Sequence, residues 1–85
     1  MVTIKILGAG CANCVKLDGL AHEAAQAMGL EAQFVKVTDY ADIAQYHVMS
    51  TPGLVINERV VSSGRIPSVA EISAWIADAE MAPTA

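Results

Sequence analysis

Long apolar runs are missing from this 85-residue chain. Its most hydrophobic stretches are broken by Gly, Lys, Asp or Pro within about ten residues, and a membrane-spanning helix needs about 20. No membrane span is therefore expected. Basic residues are scarce as well. Five Lys and Arg stand against nine Asp and Glu, a net charge of -4. Such a chain offers little to a phosphate backbone, so nucleic acid is not an expected partner. The opening Met1-Val2-Thr3-Ile4-Lys5 lacks a basic start, a following apolar run and a small-residue cleavage site, so no signal peptide is expected. Cysteine occurs only twice, three positions apart. A small secreted domain stapled by disulfides would use more cysteines at wider spacing. A bridge between Cys11 and Cys14 closes almost no loop and adds little stability through chain entropy. Chemistry in a reducing, cytoplasmic compartment is the expected use of this pair.

Hydrophobic residues make up 54% of the chain and charged residues 16%, which opposes disorder. The length supports one domain over 1–85, without repeat or linker, and residues 81–85 read as a flexible tail. Val2 to Leu7 is a β-favourable run that Gly8-Ala9-Gly10 ends. A helix is expected from Cys11 or Ala12 to Met28, stopped by Gly29. Cys14, Leu17, Ala21, Ala24 and Met28 recur at spacings of three and four and mark its buried stripe. Lys16, Asp18, His22, Glu23 and Gln26 fall largely on its other sides. Ala32 to Val37 reads as a second strand, parallel to the first across the helix. Asp39 caps a short helix over Tyr40 to Tyr46. Gly53–Ile56 and Arg59–Ser63 read as strands around an Asn57-Glu58 turn, a weaker turn signal than Asn-Gly. Ser68-Val69-Ala70-Glu71 has capping-box spacing, and Ile72, Trp75, Ile76 and Ala79 form the apolar face of a last helix. The expected order is β-α-β-α-β-β-α, an α/β domain whose four-stranded mixed sheet is flanked by helices.

Cys11-Ala12-Asn13-Cys14 follows a strand and opens a helix. There, unpaired N–H groups and the helix dipole favour a thiolate. Lowering a thiol pKa from about 8.5 to about 7 raises its thiolate fraction at pH 7 from roughly 3% to 50%. Helix phase separates the two roles. Cys14 lies on the buried stripe, while Cys11 sits one turn earlier at the tip. Cys11 is thus the expected nucleophile toward a disulfide, and Cys14 the residue that resolves the mixed disulfide. Gly10, Ala12 and Asn13 flank the thiols. Ser50-Thr51-Pro52-Gly53 is the second constellation. Pro52 removes a backbone donor just before a strand and restricts Thr51. His22 and His47 lack zinc-finger spacing and read as surface residues.

These residues together resemble the thioredoxin superfamily, and most nearly its small, glutaredoxin-sized redox-active disulfide proteins. The resemblance runs from Thr3 to about Ala79. It rests on a strand, C-x-x-C at a helix start, Thr51-Pro52-Gly53-Leu54-Val55-Ile56-Asn57 leading to Val60-Val61 and Gly64, and the capped helix at Pro67-Ser68. It implies a thioredoxin-like fold, with Pro52 cis beside the cysteines. It also implies that Thr51, Pro52 and Gly53 dock extended protein disulfide substrates by strand-like pairing. The expected protein is a monomer without cofactor or bound metal. The chain departs from the thioredoxin pattern in three places. Gly10 replaces the Trp before the first cysteine, Ala12-Asn13 replaces Gly-Pro, and Lys5 stands where thioredoxins carry a buried acid. Lys5 reads as a solvated strand-edge residue. Val61-Ser62-Ser63-Gly64-Arg65 lacks the Gly-Gly and acidic pattern of glutathione-binding glutaredoxins. A dedicated protein reductase, such as a thioredoxin reductase, is therefore the expected electron donor.

A rival reading uses the same two thiolates. Gly8-Ala9-Gly10-Cys11-Ala12-Asn13-Cys14-Val15 also resembles the heavy-metal-associated motif, in which paired sulfurs hold copper(I). That motif usually has Met where this chain has Ala9, and its fold requires a β-hairpin directly after the first helix.

Overall fold

Alternating side chains of the first strand organise the molecule. A computed structural model describes residues 2–81. Its elements are β1 (Val2–Leu7), α1 (Ala12–Ala27), β2 (Ala32–Val37), α2 (Tyr40–Ala44), β3 (Gly53–Ile56), β4 (Arg59–Ser63) and α3 (Val69–Met81). They form one sheet in the order β2-β1-β3-β4. β1 and β2 are parallel, and the β1–β3 and β3–β4 pairs are antiparallel. The expected mixed sheet and element order are thus present.

Because successive strand side chains point to opposite faces, Val2, Ile4 and Ile6 go to one side of β1. There they pack with Leu54, Ile56, Leu17, Ala21 and Ala24 of α1, and Ile72 and Ile76 of α3. Leu7 and Val55 face the other way and pack with Ile43 of α2. β3 lies between the two clusters, and all four of its residues are buried. It reads accordingly as the continuous apolar run Gly-Leu-Val-Ile.

Local chemistry sets the ends of the elements. Gly29 takes φ +67, and α1 closes with Leu30 N–H donating to Ala25 C=O at 3.1 Å and Gly29 N–H to Gln26 C=O at 3.0 Å. This is the paired closure that a left-handed residue after a helix allows. The capping box forms as the spacing implies. Glu71 N–H donates to Ser68 Oγ at 3.2 Å, and Ser68 N–H donates to Glu71 Oε1 at 3.1 Å. Arg65 then grips the Glu71 carboxylate through two nitrogens, at 2.8 and 3.3 Å. The Asn57-Glu58 turn has positive φ at both residues, 49° and 66°, the backbone twist that suits a two-residue hairpin. Asn57 also locks the hairpin to β1, accepting from Thr3 N–H at 2.9 Å and donating its own N–H to Thr3 C=O at 2.9 Å.

Three expectations need correction. The short helix ends at Ala44 rather than Tyr46, because the chain tightens: Tyr46 N–H bonds Ile43 C=O and His47 N–H bonds Ala44 C=O. Met81 belongs to α3 rather than to a tail, and the rest of the expected tail lies outside the described residues. Lys5 is not on an edge, since β1 has a strand on each side. Its ammonium donates to Tyr46 Oη at 2.8 Å and pairs with the Glu58 carboxylate. The hydrogen bond to Glu58, then that to Tyr46, push its pKa up to about 12.

Candidate functional site

The site forms where β1 stops and α1 begins. Gly8 N–H still reaches Val37 C=O at 2.9 Å, and Gly10 then turns with φ +86, a conformation L side chains rarely adopt. Cys11 follows as the N-cap of α1, with extended backbone at φ -67 and ψ 164. Its sulfur takes the place of the usual capping oxygen. Cys14 N–H, one of the donors a helix start leaves unpaired, points at Cys11 Sγ from 3.1 Å, and Val15 N–H bonds Cys11 C=O at 3.0 Å. The two cysteines are joined as a disulfide, with Cα atoms 5.0 Å apart. Cys11, Ala12 and Asn13 are exposed, whereas Cys14 is buried at 4%. A single helix turn thus holds one sulfur toward solvent and its partner against the core. The N-terminal end of α1 favours negative charge at the outer sulfur.

The second constellation lies directly against the first. Pro52 and Gly53 are buried, Thr51 is exposed, and the Thr51–Pro52 bond is cis. Gly8 sits between the two loops. A Cβ built there would overlap Cys14 Sγ and lie 3.8 Å from Thr51 Cβ. Gly53 pairs with Leu7 in the ladder and packs on its side chain, at 3.2 Å from a Cβ position to Leu7 Cδ1. Gly64 N–H donates to Pro52 C=O at 3.0 Å, and at φ +73 Gly64 passes close under Ser50. The β3–β4 ladder begins at Gly53–Ser63, so exposed Thr51 projects beyond its last rung beside the cysteines.

Two residues near the sulfurs were not among the expected site residues. In the sequence Gly8 reads as punctuation after β1, and its closeness to Cys14 and Thr51 comes from packing. Helix phase puts Asp18 largely on the other sides of α1, yet it lines a pocket with Cys14, Ile6, Gly8, Lys36 and Thr38. Its place four positions after Cys14 was the available signal, since such residues share a helix face. Lys5 turns away, engaged by Tyr46 and Glu58 on the α2 side. His22 is half exposed, stacks on Phe34 with ring centroids 3.6 Å apart, and faces Asp18. The copper reading needed a hairpin after α1. Here one strand and then a helix follow it, and the Thr51-Pro52 hairpin comes later.

Comparison with known proteins agrees with this geometry. The sequence profile of a family described as "Thioredoxin domain" matches residues 2–77. A thioredoxin of Methanocaldococcus jannaschii is 42% identical over 72 residues, 85% of this chain and 83% of that protein. A thioredoxin of Methanothermobacter thermautotrophicus is 36% identical over 72 residues, 85% of this chain and 94% of that protein. Among solved structures, the zinc-bound form of human ERp44 superposes with a TM-score of 0.60 at 21% identity. That match covers 91% of this chain and 26% of ERp44, and it speaks for the fold alone.

Proposed function

Because this chain belongs to the thioredoxin domain family and is a thiol–disulfide oxidoreductase in class, we propose that it reduces disulfides of protein substrates, with Cys11 as nucleophile and Cys14 as resolving thiol. The observation that carries this is the division of exposure across one helix turn. Cys11 offers its sulfur to solvent at the α1 N-terminus, and Cys14 waits buried within bonding reach.

The cycle balances as follows. The Cys11 thiolate attacks one sulfur of the substrate disulfide, so a Cys11–substrate bond forms and the substrate S–S bond breaks. The departing sulfur leaves as a thiolate and takes up a proton. Cys14, as thiolate, then attacks Cys11 Sγ, forms the Cys11–Cys14 disulfide and releases the second substrate thiol. Two electrons have passed to the substrate, and a dithiol donor must return them. A dedicated protein reductase of the thioredoxin reductase kind, in the cytoplasm, is the donor we assign. Thr51, Pro52 and Gly53 form the docking edge, with Thr51 offering main chain to an extended substrate segment. Gly10, Ala12 and Asn13 shape the surface around the outer sulfur. Cysteine trapping tests the roles. Cys14→Ser should accumulate mixed disulfides through Cys11, and Cys11→Ser should accumulate none. Equal trapping by both variants would overturn the assignment.

A further inference from the structure

Cys14 must be a thiolate to resolve a mixed disulfide, yet the residue is buried at 4% exposure. Apolar burial holds a thiol in its protonated form. The pocket beside it, about 50 Å³ in volume, exceeds the roughly 10–15 Å³ that one water requires. Asp18 enters this pocket from the next turn of α1. The Asp18 side chain is only 19% exposed. Its Oδ1 is buried and has no hydrogen-bond partner among the described residues. Two basic groups stand near the carboxylate. His22 Nε2, one turn further on, stands 3.4 Å from Oδ1 without hydrogen-bond geometry, and Lys36 Nζ of β2 stands 3.7 Å from Oδ2. β1 contributes Ile6 to the pocket wall and β2 contributes Lys36, while Gly8 follows β1 and uncharged Thr38 follows β2. A desolvated, unpartnered acceptor is costly to maintain, and the residue that carries it lines the same pocket as Cys14.

We infer that Asp18 accepts the Cys14 proton, directly or through one water, during resolution of the mixed disulfide. The inference rests on the reductase reaction proposed above. The Cys14 S–H proton passes to the Asp18 carboxylate as the Cys14 sulfur bonds to Cys11 Sγ. The Cys11–substrate bond breaks, and the leaving thiolate takes a proton from solvent. Asp18 returns its own proton to solvent along the partly open side of the pocket. Asp18 thereby acts on the inner thiol and leaves the first attack by Cys11 untouched.

The test follows both steps with the fully reduced protein and an aromatic disulfide reagent that releases one coloured thiolate at each step. Asp18→Asn should leave the first release unchanged. The second release should slow on the order of tenfold or more at pH 7. Its pH profile should move up toward the ionisation of a buried thiol, above the ordinary value of about 8.5. Asp18→Glu should restore much of the lost rate. An Asp18→Asn profile superimposed on the wild type would overturn the inference. So would acceleration at pH 7, which would mean that Asp18 acts only as a charge opposing the thiolate. A wild-type protein that releases one equivalent and never a second would overturn the resolving role of Cys14, and this inference with it.

Discussion

Gly8→Ala should make the Cys11–Cys14 pair more oxidising, by an amount that follows from where the added methyl would lie. Its Cβ would overlap Cys14 Sγ and lie 3.3 Å from Cys14 Cβ. Gly8 does not have positive φ, so the backbone itself accepts alanine. Restricting the unfolded chain would by itself stabilise the variant by about 0.4–1 kcal/mol. Overpacking of a tight core site costs about 1–3 kcal/mol, so sterics win. The cost differs between redox states. Free Cys14 can turn to another staggered rotamer, whereas the disulfide pins its sulfur against Gly8. A difference of about 1–2 kcal/mol between the two forms corresponds to roughly 20–40 mV for a two-electron couple, toward higher potential. Equilibration in glutathione buffers, read by thiol alkylation, measures that potential. Urea unfolding of each redox form measures the two stabilities independently. The oxidised form should lose more than the reduced form. An unchanged potential with equal loss in both forms, or a lower potential with greater loss in the reduced form, would refute the reasoning.

Two further outcomes concern the scaffold. Leu17 is fully buried against the sheet, so Leu17→Ala should cost about 2–5 kcal/mol and lower Tm by on the order of 10 °C or more; a thermal melt with an unchanged midpoint would exclude Leu17 from the core. Glu71 is held down to about 2 from its ordinary 4.5, first by the Arg65 hydrogen bond and then by Ser68 N–H. A depressed carboxylate stabilises the fold above its unfolded value and loses that contribution as pH falls from about 4.5 toward 2. Glu71→Gln should therefore flatten the acid side of a stability-versus-pH series, and an unaltered slope there would refute the pairing.

What could be read from the residues alone is what short-range physics governs. Strand alternation in β1, the three-and-four spacing of α1, left-handed Gly29 and the Ser68–Glu71 box each depend on neighbours within about a turn. That is why the element order and the C-x-x-C at a helix start were legible. The split between exposed Cys11 and buried Cys14 was legible for the same reason, because helix phase assigns faces. Tertiary structure decided the rest. Lys5 stands on a central strand only because β3 inserts beside β1, and its partners Tyr46 and Glu58 come from far along the chain. Gly8 meets Cys14 and Thr51 through a packing that no local pattern encodes. Asp18 looks like an ordinary surface acid until Ile6 of β1 and Lys36 of β2 join it and Cys14 around one pocket. Burial is a property of the assembled layers, so the groups whose chemistry depends on lost solvent emerge only when those layers meet.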